Sequence, residues 1–332
     1  MTRLKVDKSK IVSGSGISAL INKGWHQADL HVHTYYSGDV LPSTYLDPLV
    51  LYEKARQKGM KYVSFTDHDT MEAYERVGWK KEGLVPGVEI KIKDMDNVGH
   101  SVHINIYELN KSQFNELMEI AKVKKDIFAF VAYLKDKNLP FVYNHPYWYD
   151  HGEKPNFKIV HKLLQLFPVT EYNMHRVWQK NILAMKLAHK YGKGIIAATD
   201  THVGDIGRAS TFAKGETFRE FFDNIAKGDA YLNAQDLTVY ILKEEISKWI
   251  ELIFSLDMDR LEKVVHTQIR TLNYFINLFE RGALENCPLV RKSVEKLLSA
   301  IAKSGAPALC YLKLQSFLAY KMNRQLRMVE IS

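Results

Sequence analysis

The 332 residues carry 46% hydrophobic and 25% charged side chains, a globular balance that excludes extended disorder. The net charge of +8 divides evenly, four on each side of residue 236, with no basic tail or Lys/Arg cluster; a mildly basic solvated surface is therefore expected, not a track for a phosphate backbone. No run of about 18 apolar residues occurs and residues 1–10 are polar, against a membrane span or a secretory signal, while Cys287 and Cys310 offer neither a disulfide framework nor a metal-ligand spacing. A reduced, cytoplasmic protein is the expectation.

Residues 1–24 form an N-terminal extension with a Gly/Ser stretch, Ser13-Gly14-Ser15-Gly16, and room for one short strand within 4–12. Apolar strands then alternate with helices. The pattern predicts a strand at 28–33, a helix at 45–58 closed by Gly59, a strand at 62–65, a short helix at 71–76 and strands at 84–92 and 101–107. One or two helices follow over 111–137, then a strand at 140–143, a helix at 159–167, a strand at 169–172, a helix at 179–191 closed by Gly192, a strand at 194–198, a helix at 217–226 and a last strand at 230–233. Short apolar strands spaced by helices predict an α/β protein with a mostly parallel sheet buried on both faces. Some seven βα units in roughly 210 residues favour a closed or nearly closed barrel over an open sheet.

After Gln235 the period changes to that of helices, at 243–256, 259–281, 289–303 and 308–329, with apolar stripes such as Leu261, Val264, Val265, Ile269, Leu272, Phe275 and Ile276. Breaks fall at Asp257, 282–288 and 305–307. The expected organisation is an extension (1–24), a barrel (25–236) and an all-α C-terminal appendage (237–332) whose stripes are ordinary bundle core.

Chemistry enters at the strand ends. His31 and His33 in Asp29-Leu30-His31-Val32-His33-Thr34 lie two apart on a strand, so both imidazoles point to one side, a chelate geometry. An HxH pair alone is weak evidence. Downstream, however, Asp67-His68-Asp69 follows the next strand, Glu89 and His103 lie on the two after it, His145 ends another, Glu171 and Asn173 the next, and Asp200 and His202 the last. Barrel active sites are built where strands end, and so many buried charges would repel and desolvate one another without compensating cations. A multinuclear metal site follows. The other histidines, His26, His161, His189 and His266, sit in helical or surface contexts and read as structural or solvated.

In order, an HxH strand, Thr66-Asp67-His68-Asp69, a Glu after Gly87, His103 four residues before Tyr107, His145-Pro146 and Thr199-Asp200-Thr201-His202 resemble the PHP superfamily, the polymerase and histidinol phosphatase phosphoesterases, over residues 25–235. The resemblance implies a distorted (β/α)7, TIM-like barrel with two to three divalent ions, and it does not extend to the C-terminal helices. Carried over residue by residue, His31, His33, Glu89 and Asp200 would hold the first ion. Glu89, His103 and His145 would hold the second, and Asp39, His68 and His202 the third. His100 and His151 fit the pattern less well. Two departures stand out: Ile106 where a Gly precedes the Tyr, which bears on the loop near the second ion, and Thr199 where Ser is common. Nitrogen and oxygen ligands without thiolates suit Zn, Mn or Fe.

The expected activity is hydrolysis of a phosphomonoester, nucleotide-type or another small phosphorylated metabolite, with a metal-bridging hydroxide as nucleophile. Asp67 and His202 are the candidates for direct catalytic work, although ligand orientation is the stronger reading of Asp67. Arg208 and His175 are the candidates for holding a substrate phosphate, ahead of Arg176. The alternatives are a nuclease or repair phosphodiesterase, for which nucleic acid is the less favoured partner, and a metal-stabilised, non-catalytic scaffold that binds a partner or a second copy through the C-terminal helices.

Overall fold

The first strand, β1 (His26–Val32), is buried from Ala28 to Val32, and its alternation divides the labour. Ala28 and Leu30 pack against Phe218, Phe221 and Phe222, while Asp29 and His31 point the other way. A strand buried on both faces needs neighbours on both edges, and β1 pairs in parallel with β2 (Tyr62–Phe65) and antiparallel with β8 (Ser210–Ala213), which in turn carries β9 (Tyr231–Asn233). The structure is a computed structural model that describes residues 10–150, 152–154, 156–255 and 288–329, without the side chains of 325–329.

The second sheet runs β3 (Gly87–Asp94), β4 (His100–Tyr107), β5 (Phe141–Tyr143), β6 (Val169–Asn173) and β7 (Gly194–Ala198). The helices are α1 (Ser15–Asn22), α2 (Pro48–Gln57), α3 (Glu72–Val77), α4 (Lys111–Glu119), α5 (Ile127–Asp136), α6 (Phe157–Leu166), α7 (Trp178–Lys190), α8 (Phe218–Ala226), α9 (Val239–Ser255), α10 (Pro288–Ser304) and α11 (Ala306–Val329). Local chemistry sets several of their ends. Asp47 accepts from the Leu49 amide ahead of Pro48 to start α2, Asn110 and Gln113 form a capping box on α4, and Thr217 and Glu220 form another on α8.

The chain is thus α/β with C-terminal helices, but the strands do not close into the expected (β/α)7 barrel. Among the described residues they form two sheets joined by isolated bridges, Val32 with Thr201 on one side and Val63 with Leu84 and His68 with Glu89 on the other, and by the Thr211 hydroxyl of β8 bonded to the Ala197 backbone of β7. Two features break the βα repeat. β3 and β4 are antiparallel, because residues 95–99 form a tight turn in which the Asp94 carboxylate accepts from the Asn97 amide, too short for a helical crossover. β8, which the alternation did not predict, inserts antiparallel between β1 and β9.

Residues 111–137 divide into α4 and α5 around a π-helical turn (Ile120–Lys124) that ends on Lys125 with φ 54°. At the N-terminus α1 was not anticipated, and Ile11 makes one bridge to Leu232. Of the four C-terminal helices expected, 259–281 lies outside the described residues; the others are α9, α10 and α11. Among the described residues no helix is long and apolar enough to cross a membrane.

The core lies between the sheets and helices α2 to α6, and Met322 of α11 joins it. Helix α9 is anchored at both ends. Ile241 and Leu242 pack with Met174 and Ala209, and Trp249, Leu252 and Ile253 pack with Val40, Leu41 and Leu46. It therefore lies across the loops that follow β1, β6 and β7.

Candidate metal centre

His31 on β1 and His33 just beyond it extend their Nε2 atoms to one point, 3.1 Å apart. Glu89 reaches the same point from β3, its Oε2 3.0 Å from His31 Nε2 and 3.3 Å from His33 Nε2. Asp200, past the end of β7, brings Oδ1 to within 3.3 Å of His31 Nε2 and 3.2 Å of His33 Nε2. Its reach depends on the seam between the sheets, where the Asp200 amide donates to His31 O and the His33 amide to Thr201 O. Donors about 2.0–2.2 Å from one ion lie roughly 3.0–3.5 Å from one another, which is the spacing found here.

Two further groups share members with the first. Asp39 Oδ2 is 2.9 Å from His202 Nε2 and 3.3 Å from His68 Nε2, with His33 stacked on His68. Glu89 turns its other oxygen, Oε1, to His103 Nδ1 at 3.0 Å and His145 Nε2 at 3.2 Å. The three convergent sets are His31, His33, Glu89 and Asp200; His33, Asp39, His68 and His202; and His68, Glu89 and His103. Eight of the nine residues singled out as ligands fall in these sets; the ninth, His145, meets Glu89 Oε1 at 3.2 Å but belongs to none of them. His68 takes a wider part than expected, since its Nδ1 also lies 3.4 Å from Glu89 Oε2.

The electrostatics ask for cations. Glu89 and His31 are fully buried and Asp200 nearly so. Burial pulls the His31 pKa down, but Asp200, Glu171 and Glu89 outweigh it and hold it well above its usual range. His202, burial notwithstanding, is raised to about 9 by Asp39, while Asp39, Glu89 and Asp200 are held well below the carboxylate range by the surrounding imidazoles. His145 goes the other way: burial lowers it to about 4, leaving a neutral imidazole. The protein alone balances its buried carboxylates only by protonating histidines, and a bound cation serves the same end with the imidazole lone pairs free. Among the described residues the buried His103 Nε2 and His33 Nδ1, the ring nitrogens opposite those that meet the carboxylates, have no hydrogen-bond partner.

The outer partners were only partly foreseen. Glu171 Oε1 lies 2.7 Å from His31 Nδ1, and its Oε2 accepts from the His145 amide at 2.9 Å. Asn173 Nδ2 donates to Glu171 and to Asp200, and Asn144 Nδ2 to Glu89 Oε1. Asn144 drew no notice in the sequence, although its place beside His145 at a strand end is a usable signal. Asp29 accepts from the Thr199 amide and hydroxyl and from the Gly207 amide, which gives the Thr at 199 its role. Ile106 does not shape a loop: it is a buried β4 residue that pairs with Val88.

Asp67 is not among the converging donors. Its carboxylate takes the Thr34 amide at 2.6 Å and the Thr34 hydroxyl at 2.7 Å, which fixes the turn after His33. Asp69 lies outside the cluster, paired with Lys122. His100 is buried away from it, against Ser101 O and Tyr149. Asp200 (φ 51°), His145 (φ 25°) and Asp69 (φ 56°) all occupy the left-handed region that non-glycine residues seldom adopt. Such strain persists where surrounding contacts over-determine the backbone, commonly at functional sites.

The two residues assigned to phosphate are engaged. Arg208 Nη1 is 2.8 Å from Glu244 and 3.3 Å from Asp205, and His175 Nε2 is 3.4 Å from Glu245. Arg176 lies nearer the donors, its Nη2 4.0 Å from Asp200 Oδ2, its buried Nε without a hydrogen-bond partner among the described residues and its guanidinium 5.7 Å from the Trp148 ring centroid. Trp148 meets the His103 and His145 rings edge-on and forms a wall beside the donors.

Fold and site define a class: an α/β protein whose histidine and carboxylate clusters fit divalent metal binding. A model of the PHP domain matches residues 29–239, and the chain belongs to that family. No curated protein matches the chain significantly. Among solved structures, it is similar to a proposed metal-dependent phosphoesterase from Bifidobacterium adolescentis at 16% identity, over 60% of this chain and 96% of that one, with a TM-score of 0.41. PsfC from Pseudomonas syringae matches at 11% identity, over 78% and 99%, with a TM-score of 0.46. An amidohydrolase from Chromobacterium violaceum, with bound sulfate and no metal, matches at 14%, over 53% and 87%, with a TM-score of 0.35.

Proposed function

We propose that the chain is a metal-dependent phosphoesterase that hydrolyses a phosphomonoester, nucleotide-type or another small phosphorylated metabolite. The observation that carries the reading is Glu89, which offers one oxygen to His31 and His33 and the other to His103 and His145, so that one carboxylate faces two donor sets. His31, His33, Glu89 and Asp200 would hold one ion, Glu89, His103 and His145 a second, and Asp39, His68 and His202 a third. Divalent ions of the Zn, Mn or Fe type bound there supply charge neutralisation at phosphorus and a water acidic enough to attack near neutral pH.

The chain's own residues do the rest. Glu171 orients the His31 ring and Asn173 the Asp200 carboxylate, which fixes ligand geometry. Asp67 acts through Thr34, as a positioning residue. His202 would hold the third ion through Nε2; only where that ion is not bound is it, at the more exposed end of the cluster, the group placed to pass a proton to the leaving oxygen. Arg176, whose Nη2 lies 4.0 Å from Asp200 Oδ2, would meet the phosphoryl group, and Arg208 and His175 would take a more distant phosphate oxygen.

The test is phosphate release from a panel of phosphomonoesters, mononucleotides, nucleotide bisphosphates and short oligonucleotides after reconstitution with Mn, Zn or Fe. Release that requires metal and disappears in His31→Ala/His33→Ala is the expected result. A protein that holds its metals and releases nothing would overturn the reading. Preference for oligonucleotides would assign it to the nuclease class.

A further inference from the structure

Helix α9 places two successive carboxylates on the two residues assigned to a substrate phosphate. Glu244 meets Arg208 at 2.8 Å and Glu245 meets His175 at 3.4 Å, and the His175 ring lies 6.5 Å from that of His202. One turn further on, Lys248 pairs with Asp205, on the loop that carries Arg208. That loop is also tied to α2, because Lys54 donates to Gly204 O and Lys58 to Ile206 O. The loop of Arg208 is therefore held in place, and besides Asp205 of that loop the carboxylates that meet Arg208 and His175 are two successive residues of one helix.

The helix backbone is fixed on both sides of the acidic pair. Ile241 and Leu242 are buried before it, and Trp249, Leu252 and Ile253 after it. The Glu244–Arg208 pair is wet, its side chains 36% and 22% exposed, and the Glu245–His175 pair is less so, at 16% and 13%. Partly solvated ion pairs are weak and exchange readily. A carboxylate on a guanidinium or imidazole also resembles, in charge and hydrogen-bonding pattern, the phosphate that would sit there.

We propose that α9 is a displaceable latch: Glu244 and Glu245 occupy Arg208 and His175, and a phosphate group enters there only by displacing them. The proposal rests on the phosphoesterase reading for its purpose, but the contacts it invokes are those of α9. Because the helix is anchored at both ends, opening needs only new rotamers of two glutamates. The latch raises the concentration of phosphate compound needed to engage Arg208 and His175, and it disfavours retention of released phosphate.

The test uses the full chain loaded with metal, and compares wild type with Glu244→Gln/Glu245→Gln. Inorganic phosphate affinity is measured by calorimetry, and KM and kcat with p-nitrophenyl phosphate. The latch predicts phosphate binding roughly three- to tenfold tighter in the double variant, a matching fall in KM, and kcat within about twofold. Adding Arg208→Ala should remove the gain. Equal or weaker phosphate affinity in a folded double variant would overturn the latch. Should the double variant unfold, Glu245→Gln alone, which frees His175, must move affinity the same way. Absence of p-nitrophenol release from metal-loaded wild type would count against the phosphoesterase reading, and the calorimetric comparison would still decide the latch.

Discussion

Asp29 sits two residues before His31 on the same side of β1, and its carboxylate accepts from the Thr199 amide at 3.1 Å, the Thr199 hydroxyl at 2.6 Å and the Gly207 amide at 2.8 Å. Burial pushes its pKa up to about 6 against the pull of those donors. Because it ties β1 to the segment that delivers Asp200 and His202, Asp29→Asn should turn an amide N–H towards one of these donors. The expected loss is about 1–3 kcal/mol of stability, read as a lower midpoint in urea at unchanged slope; an unchanged midpoint would show that the carboxylate does not hold the seam. His31 and His33 were legible in the sequence because a strand has period two, and the other donors because they recur at strand ends. Asp29 was not, since its partners lie about 170 residues away. Nor did the sequence show that Arg208 and His175 face glutamates, which only the packing of α9 creates.

Among the elements, β2 and β3 show what replaces a missing ladder. They are joined by two isolated bridges, Val63 to Leu84 before β3 and His68 to Glu89 past the end of β2, and between these the fully buried Tyr74 hydroxyl from α3 takes over. It accepts from the Phe65 amide at 3.0 Å and the Gly87 amide at 2.8 Å, and has Phe65 O and Val85 O within donating reach. A Cβ on Gly87 would meet Ser64 Oγ at 2.3 Å, so glycine is required for this approach. Tyr74→Phe strands two amides and should cost about 2–4 kcal/mol, which lowers Tm by several degrees with the far-UV spectrum retained; a Tm within a degree of wild type would contradict this role. Apolar runs made most strands and helices legible. The departures have local causes: β8 is four residues long, and the turn after Asp94 sets the two expected strands antiparallel where a mostly parallel sheet was expected.

Across the whole molecule, Glu89 has the most to do, since it faces donors from β1, β4, the loop after β2 and the segment after β5. The family match ends at Val239, where α9 begins, so the helix that presses on Arg208 and His175 belongs to the part of the chain the motifs did not describe. Its periodicity was legible in the sequence; its contacts with Arg208, His175 and the loop of Asp39 were not, because amphipathic spacing fixes a face and not its partner. The central claim is that these donors hold two or more ions through one shared carboxylate. The direct measurement is the metal content of reconstituted, desalted protein by mass spectrometry, wild type beside Glu89→Gln. The account predicts two to three equivalents in wild type and the loss of at least one in a folded Glu89→Gln, with phosphate release down at least a hundredfold. Less than one equivalent in wild type, or the same content in both, would contradict it.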